Sequence, residues 1–326
     1  MKFNVELAKR FVSDYKLPIP IVTDEHLFNY YLSLFEKQFQ TKSKYEKLCI
    51  LIDRDFDSKS DKFLKEYYDI RESIIQTVND NIAYQKFNNM DMNVYAIKDK
   101  INISSNNIYN YENTNKVFIS IDLKKANFQA LKFVNPDIIY NANSYEDFIG
   151  HFTNLDYIKN SKYTRQVIFG KMNPKRHITV EKYIINEIRK LITDIEDITT
   201  LVSMSTDELV YELTVPIDAV GLSLEFDLIN IQDRIKHKLN IDVSIEVFKL
   251  KSYEVYSNTN DNIHKHFFVK KYLNESKKEE FKCIPEPFFP LFYKLYNGLE
   301  IQNEDRIILY EGMTAYLRDD FQIKEL

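Results

Sequence analysis

The chain has 326 residues, of which 44% are apolar and 14% aromatic, with 23 Tyr, 23 Phe and no Trp; this makeup excludes a disordered chain and provides for a substantial core. Five glycines argue against a turn-rich sandwich or a glycine-loop nucleotide fold, and no apolar run reaches the roughly 18 to 20 residues needed to cross a bilayer. The formal charge of −5 excludes a generally basic nucleic-acid coat, and Cys49 and Cys283 form neither a disulfide framework nor a zinc motif. With no secretory signal in view, the expectation is an intracellular, cytoplasmic protein with no membrane partner. Abundant Lys, Asn and Ile fit an AT-rich genome such as that of a phage or virus.

Residues 1–100 read as helical. An amphipathic segment over 6–15 is stopped by Pro18 and Pro20, a helix capped by Thr23 or Asp24 runs to about Phe39, and helical spacing recurs over 45–52 and 61–79. Asp53, Asp55 and Asp57 imitate the start of a calcium loop, but Ser58 and Leu64 stand where glycine and a bidentate Glu are required, so they are expected to end one helix and cap the next. The pairs Tyr30 and Tyr31, and Tyr67 and Tyr68, are expected in the core.

The period then changes. After an Asn-rich loop, 117–123 reads as a buried strand of branched residues ending at Asp122, with helices expected over 124–134 and 145–152. From Lys159 to Lys190 nine basic residues face only Glu181 and Glu187, which predicts a basic connector with a phosphate-binding surface. Ile184, Ile185, Ile188, Leu191 and Ile192 mark an amphipathic helix over 179–192. Strands over 199–204 and 209–215 flank a hairpin tip bearing Asp207 and Glu208. A helix over 225–239 follows, then strands over 243–256 and 266–273 joined by a turn at 257–262. His264 and His266 start the last of these strands without a third metal ligand in view. The proline-punctuated stretch 276–326 reads as a tail that resumes helix at 292–295.

This order predicts an α+β fold in which a palm-like antiparallel sheet with helices follows a helical N-terminal region. The expected division is 1–100 helical and thumb-like, 101–275 palm-like with a fingers-like connector at 150–193, and 276–326 a C-terminal subdomain. Asp122 and Asp207 each sit at the edge of an apolar strand, and two neighbouring carboxylates are what two-metal phosphoryl transfer requires.

Three segments resemble, in order, the motifs of family A polymerases, the group of bacterial DNA polymerase I and the single-subunit phage RNA polymerases. Ser120 to Leu131 resembles motif A, Arg165 to Gly170 is similar to motif B with a basic residue four positions before Phe169 and Gly170, and Thr206 to Glu212 resembles motif C. The resemblance covers about 100 residues. Thr206 stands where the family has histidine and Asn173 where it has tyrosine; the 37-residue step from Gly170 to Asp207 is as compact as in reverse transcriptases and viral RNA-dependent polymerases.

The resemblance implies that Asp122 and Asp207 bind two Mg²⁺ ions with Glu208 in support. It further implies that Arg165 and Lys171 meet the triphosphate beside a basic surface including Lys175 and Arg176, and that Phe169 packs near the nascent base pair. The implied activity is template-directed nucleotide transfer, with a DNA or RNA primer-template and nucleoside triphosphates as partners. Two other readings stand beside it: a catalytically degenerate palm that binds nucleic acid or a replication or transcription partner, and a viral structural or assembly protein. The aromatic C-terminal tail would offer a surface for a protein partner.

Overall fold

The computed structural model describes residues 2–99, 103, 108–257, 264–273, 278–318 and 320–326. The N-terminal region is helical as expected: α1 (Val5–Tyr15), α2 (Glu25–Leu34), α3 (Glu36–Phe39), α4 (Thr41–Asp55), α5 (Ser60–Asp80) and α6 (Ile82–Asn89). The Asn4 and Asp24 side chains accept from the backbone N–H groups of Leu7 and Leu27, capping α1 and α2. The helix expected to continue from Asp24 to Phe39 instead breaks between α2 and α3. Asp57 and Ser58 both take left-handed backbone between α4 and α5, so the aspartate-rich stretch is an interhelical turn. Of the two tyrosine pairs expected in the core, Tyr31 and Tyr67 are fully buried, whereas Tyr30 is only partly buried and Tyr68 is exposed, because adjacent residues on a helix point about 100° apart and only one of each pair faces inward.

The second region runs β1 (Val117–Leu123), α7 (Ala126–Val134), α8 (Tyr145–Gly150), α9 (Asp156–Lys159), α10 (Lys162–Lys171), α11 (Pro174–Leu191), β2 (Thr199–Met204), β3 (Glu208–Leu213), α12 (Ile217–Leu239), β4 (Val243–Ser257), β5 (His264–Tyr272) and β6 (Glu279–Lys282). The basic connector is thus largely helix, and α12 begins eight residues before the expected start, directly after Pro216. Pro216 needs no N–H there and fixes the chain for entry into the first turn. The turn expected at 257–262 lies, apart from Ser257, outside the described residues.

Strand order is β2-β3-β1-β4-β5-β6, with every described pairing antiparallel. β1 and β2 flank β3, while β3 and β4 flank β1, so the helical crossovers make two interleaved split β-α-β units. Alternation along the strands sorts the side chains. Ile119, Ile121, Leu209, Tyr211, Val243 and Val247 face the helices and share a core with Leu131, Ile184, Ile188, Ile231 and Ile235. The other face carries Phe118, Val210, Phe248, Leu250, Phe268 and Tyr272, packed with Ile108.

The last region is more sheet-like than a helical tail. After α13 (Phe289–Asn297) come β7 (Ile307–Tyr310), β8 (Met313–Tyr316) and β9 (Phe321–Glu325), and β9 pairs with the far half of β4. Glu311 and Gly312, both with positive φ, make the two-residue β7–β8 turn. Asp305 is fully shielded, paired with Lys294 at 2.8 Å and bonded by the Tyr30 hydroxyl at 2.7 Å, which ties this region to α2.

A buried polar cluster joins α1 to the connector. Asp14 lies 3.2 Å from the Arg10 guanidinium and accepts from Tyr67, Tyr157 and Ser161 at 2.7 to 2.8 Å. Burial pushes the Asp14 carboxyl upward against the pull of Arg10 and these donors. Asp14→Ala leaves Arg10 buried without its counterion and is expected to cost about 3–5 kcal/mol, read from urea unfolding; an unchanged midpoint would contradict this role.

His177 on α11 is fully buried among the rings of Tyr84, Phe87 and Phe169, and neither ring nitrogen has a hydrogen-bond partner among the described residues. Burial pushes its pKa down from 6.5 to about 4. The neutral ring's contribution is complete above pH 6.5 and is lost as the pH falls toward 4, a change of about 3 kcal/mol. Urea midpoints at pH 7 and 4.5 should therefore differ less in His177→Leu than in the wild type; equal pH sensitivity would show that His177 is not the group responsible.

Candidate active site

The site grows from the register of β1 and β3. Asp122 stands opposite Glu208, and the Leu123 N–H donates to the Asp207 carbonyl at 2.8 Å, so the end of one strand and the start of the other are locked together. Ser205 shapes the hairpin tip. Its hydroxyl accepts from the Asp207 and Glu208 N–H groups at 3.3 and 3.0 Å and donates to the Asp207 carboxylate at 3.1 Å, while its own N–H donates to the Glu208 carbonyl at 2.8 Å. Ser120, two residues before Asp122 and on the same face, donates to the Glu208 carboxylate at 2.5 Å.

Two further carboxylates approach from distant parts of the sequence. Glu246 on β4 is opposite Ser120 and lies 3.1 Å from the Tyr272 hydroxyl, which is also 2.9 Å from Glu280. Glu181 on α11 is buried and accepts from the Asn127 amide at 2.6 Å. Burial, then the negative charges of Asp207, Glu208 and Glu246, push Asp122 up to about 7, with Lys270 opposing. Burial and the charge of Asp207 push Glu181 up to about 7, against the Asn127 hydrogen bond. Such crowding of acids, partly withdrawn from water, produces a local demand for positive charge.

That demand is met in part by the connector. Arg165 on α10 feels Asp122 and Glu146 and lies 5.7 Å from the centre of the Tyr145 ring; burial lowers its pKa. Lys125, which the sequence reading did not single out, places its amine 5.6 Å from the same ring and pairs with Glu146. Its signal was present only as a lysine just beyond the strand-end aspartate.

Three of the remaining residues expected at a substrate surface are committed elsewhere. Lys171 pairs with Glu72 of α5 at 2.8 Å, and the Arg176 guanidinium donates to the Phe87 and Met90 carbonyls at 2.9 Å, so both fasten the connector to the N-terminal helices. Phe169 is 1% exposed, packed against Tyr145 and His177, and so belongs to the core beneath the site. Lys175 is exposed at the start of α11. The Asn173 N–H donates to the Tyr84 hydroxyl at 2.9 Å.

Oxygen donors on adjacent strands suit a hard divalent cation, with Asp122 and Asp207 best placed and Glu208 beside them. Among the described residues, no group of three or more His, Cys, Asp or Glu side chains forms a ready-made metal site, His266 included. No protein-family model, curated protein or solved structure matches this chain.

Proposed function

We propose that this protein is a palm-type, template-directed nucleotidyltransferase acting on nucleoside triphosphates and a DNA or RNA primer-template. The observation that carries the reading is the convergence of Asp122, Asp207 and Glu208 at one end of paired β1 and β3, with Arg165, on an element that lies between the two aspartates in sequence, within the field of Asp122. Phosphoryl transfer needs positioning and charge stabilisation more than covalent participation by the protein, and this arrangement concentrates both signs of charge at one point.

Asp122 and Asp207 are the residues that would hold two Mg²⁺ ions, which when bound supply Lewis-acid stabilisation of the attacking and leaving oxygens. Ser120 and Ser205 hold the Glu208 and Asp207 carboxylates through hydrogen bonds, limiting their rotation. Arg165 lies over the Tyr145 ring, 5.7 Å from its centre, and would offer a planar cation to phosphate oxygens. A second reading, a palm that binds nucleic acid without catalysis, is favoured by the lack of a ready-made group of three metal-ligating side chains among the described residues and by Thr206 in place of the family's histidine.

Incorporation of labelled nucleotide on DNA and RNA primer-templates with Mg²⁺ separates the two. Asp122→Asn and Asp207→Asn are each expected to lower incorporation at least about 100-fold, the order seen when one preorganised electrostatic group is removed. In EDTA, Asp122→Asn should unfold at no lower urea concentration than the wild type, since it removes a charge from a crowded acidic site. A wild type that incorporates nothing on any primer-template would sink the catalytic reading.

A further inference from the structure

We propose that Lys125 and Arg165 form a polyphosphate clasp around the Tyr145 ring, with Glu146 as a carboxylate latch that the incoming ligand displaces. The identity of the ligand as a nucleoside triphosphate rests on the reading above; the clasp itself rests on the geometry of four side chains.

Lys125 is the turn residue between β1 and α7 and takes left-handed backbone, φ 57°. A non-glycine residue there costs on the order of 1 kcal/mol, so a lysine is an unfavourable choice for the turn alone. The side chain gains a defined place instead, with the amine beside Tyr145 and the Glu146 carboxylate. Tyr145 is held rigidly: it is 1% exposed and opens α8, whose entry is fixed by a reciprocal Ser144–Asp147 capping box. Arg165 lies over the same ring at 5.7 Å, so one buried aromatic has both cations beside it.

Glu146 faces both: it pairs with Lys125 and adds to the field at Arg165. The Lys125–Glu146 pair is part-exposed, 28% and 39% for the two side chains. A pair that still reaches solvent contributes on the order of 1 kcal/mol, so a polyanion that supplies several charged oxygens can take over the lysine. The acids at Asp122, Asp207 and Glu208 would repel a free polyphosphate, and the clasp offers the compensating charge three residues beyond Asp122. Lys171 pairs with Glu72 of α5, whereas Lys125 pairs with Glu146, the carboxylate that also faces Arg165.

The test is calorimetric titration of the full chain with sodium tripolyphosphate in EDTA, which removes any dependence on metal or primer. The wild type is expected to bind. Lys125→Gly keeps the left-handed turn and is expected to bind about fivefold or more weakly, while Glu146→Gln frees the lysine and should bind about fivefold more tightly, each near 1 kcal/mol. No binding by the wild type, or equal affinities in all three proteins, would overturn the clasp. The expected affinities together with absent nucleotide incorporation would overturn only the catalytic reading. Incorporation by Lys125→Gly with an unchanged KM for the triphosphate would overturn the clasp alone.

Discussion

The antiparallel pairing of β1 with β3 is the constraint on which the rest of the site depends. With Asp122 opposite Glu208 and Leu123 bonded to Asp207, two acidic positions distant in sequence meet at one end of two central strands. A shift of one residue would turn Asp122 into the apolar core under the helices and Ile121 into the acidic cluster, placing a carboxylate among aliphatic side chains and an aliphatic one among carboxylates. Ile119, Ile121, Leu209 and Tyr211, all buried against the helical layer, make that slip costly. The same packing that stabilises the sheet therefore keeps mutually repelling carboxylates together.

The positive side of the site is set by a different part of the fold. Ser161 caps α10 and donates to Asp14, while Thr164 pairs with Tyr67, so the turn that delivers Arg165 is anchored to α1 and α5. Lys171 and Arg176 add to that anchorage through Glu72 and two backbone carbonyls. Part of the basic surplus of the connector thus serves attachment, and Arg165 is close enough to Asp122 for each to feel the other's charge. The N-terminal helices consequently act on the site by fixing where that arginine can stand.

The strands that build the site were legible because their branched residues are buried on at least one face and their turns carry acids or small polar residues. The amphipathic α11 was legible from its isoleucine spacing, and the interhelical aspartates from the missing glycine of a calcium loop. Glu246 and Glu181 were not legible as site residues, since each reaches it only through strand order or helix packing. Lys125 was hidden for a related reason: its role depends on a left-handed turn and on partners 20 and 21 positions away. β7 and β8 are only four residues long, too short for alternation to register, and β9 exists as a strand only through β4.

The central claim is that Asp122 and Asp207 form one cation-dependent site within a paired sheet. A crystal structure grown with Mn²⁺ and a nucleoside triphosphate tests it most directly, because anomalous scattering locates the ions independently of any assumed mechanism. The account predicts anomalous peaks bridged by the Asp122 and Asp207 carboxylates, about 3.5–4 Å apart if two ions bind, with the triphosphate on the Arg165 side. Density for the triphosphate with no Mn²⁺ at these carboxylates, or with Mn²⁺ bound only elsewhere on the chain, would contradict it.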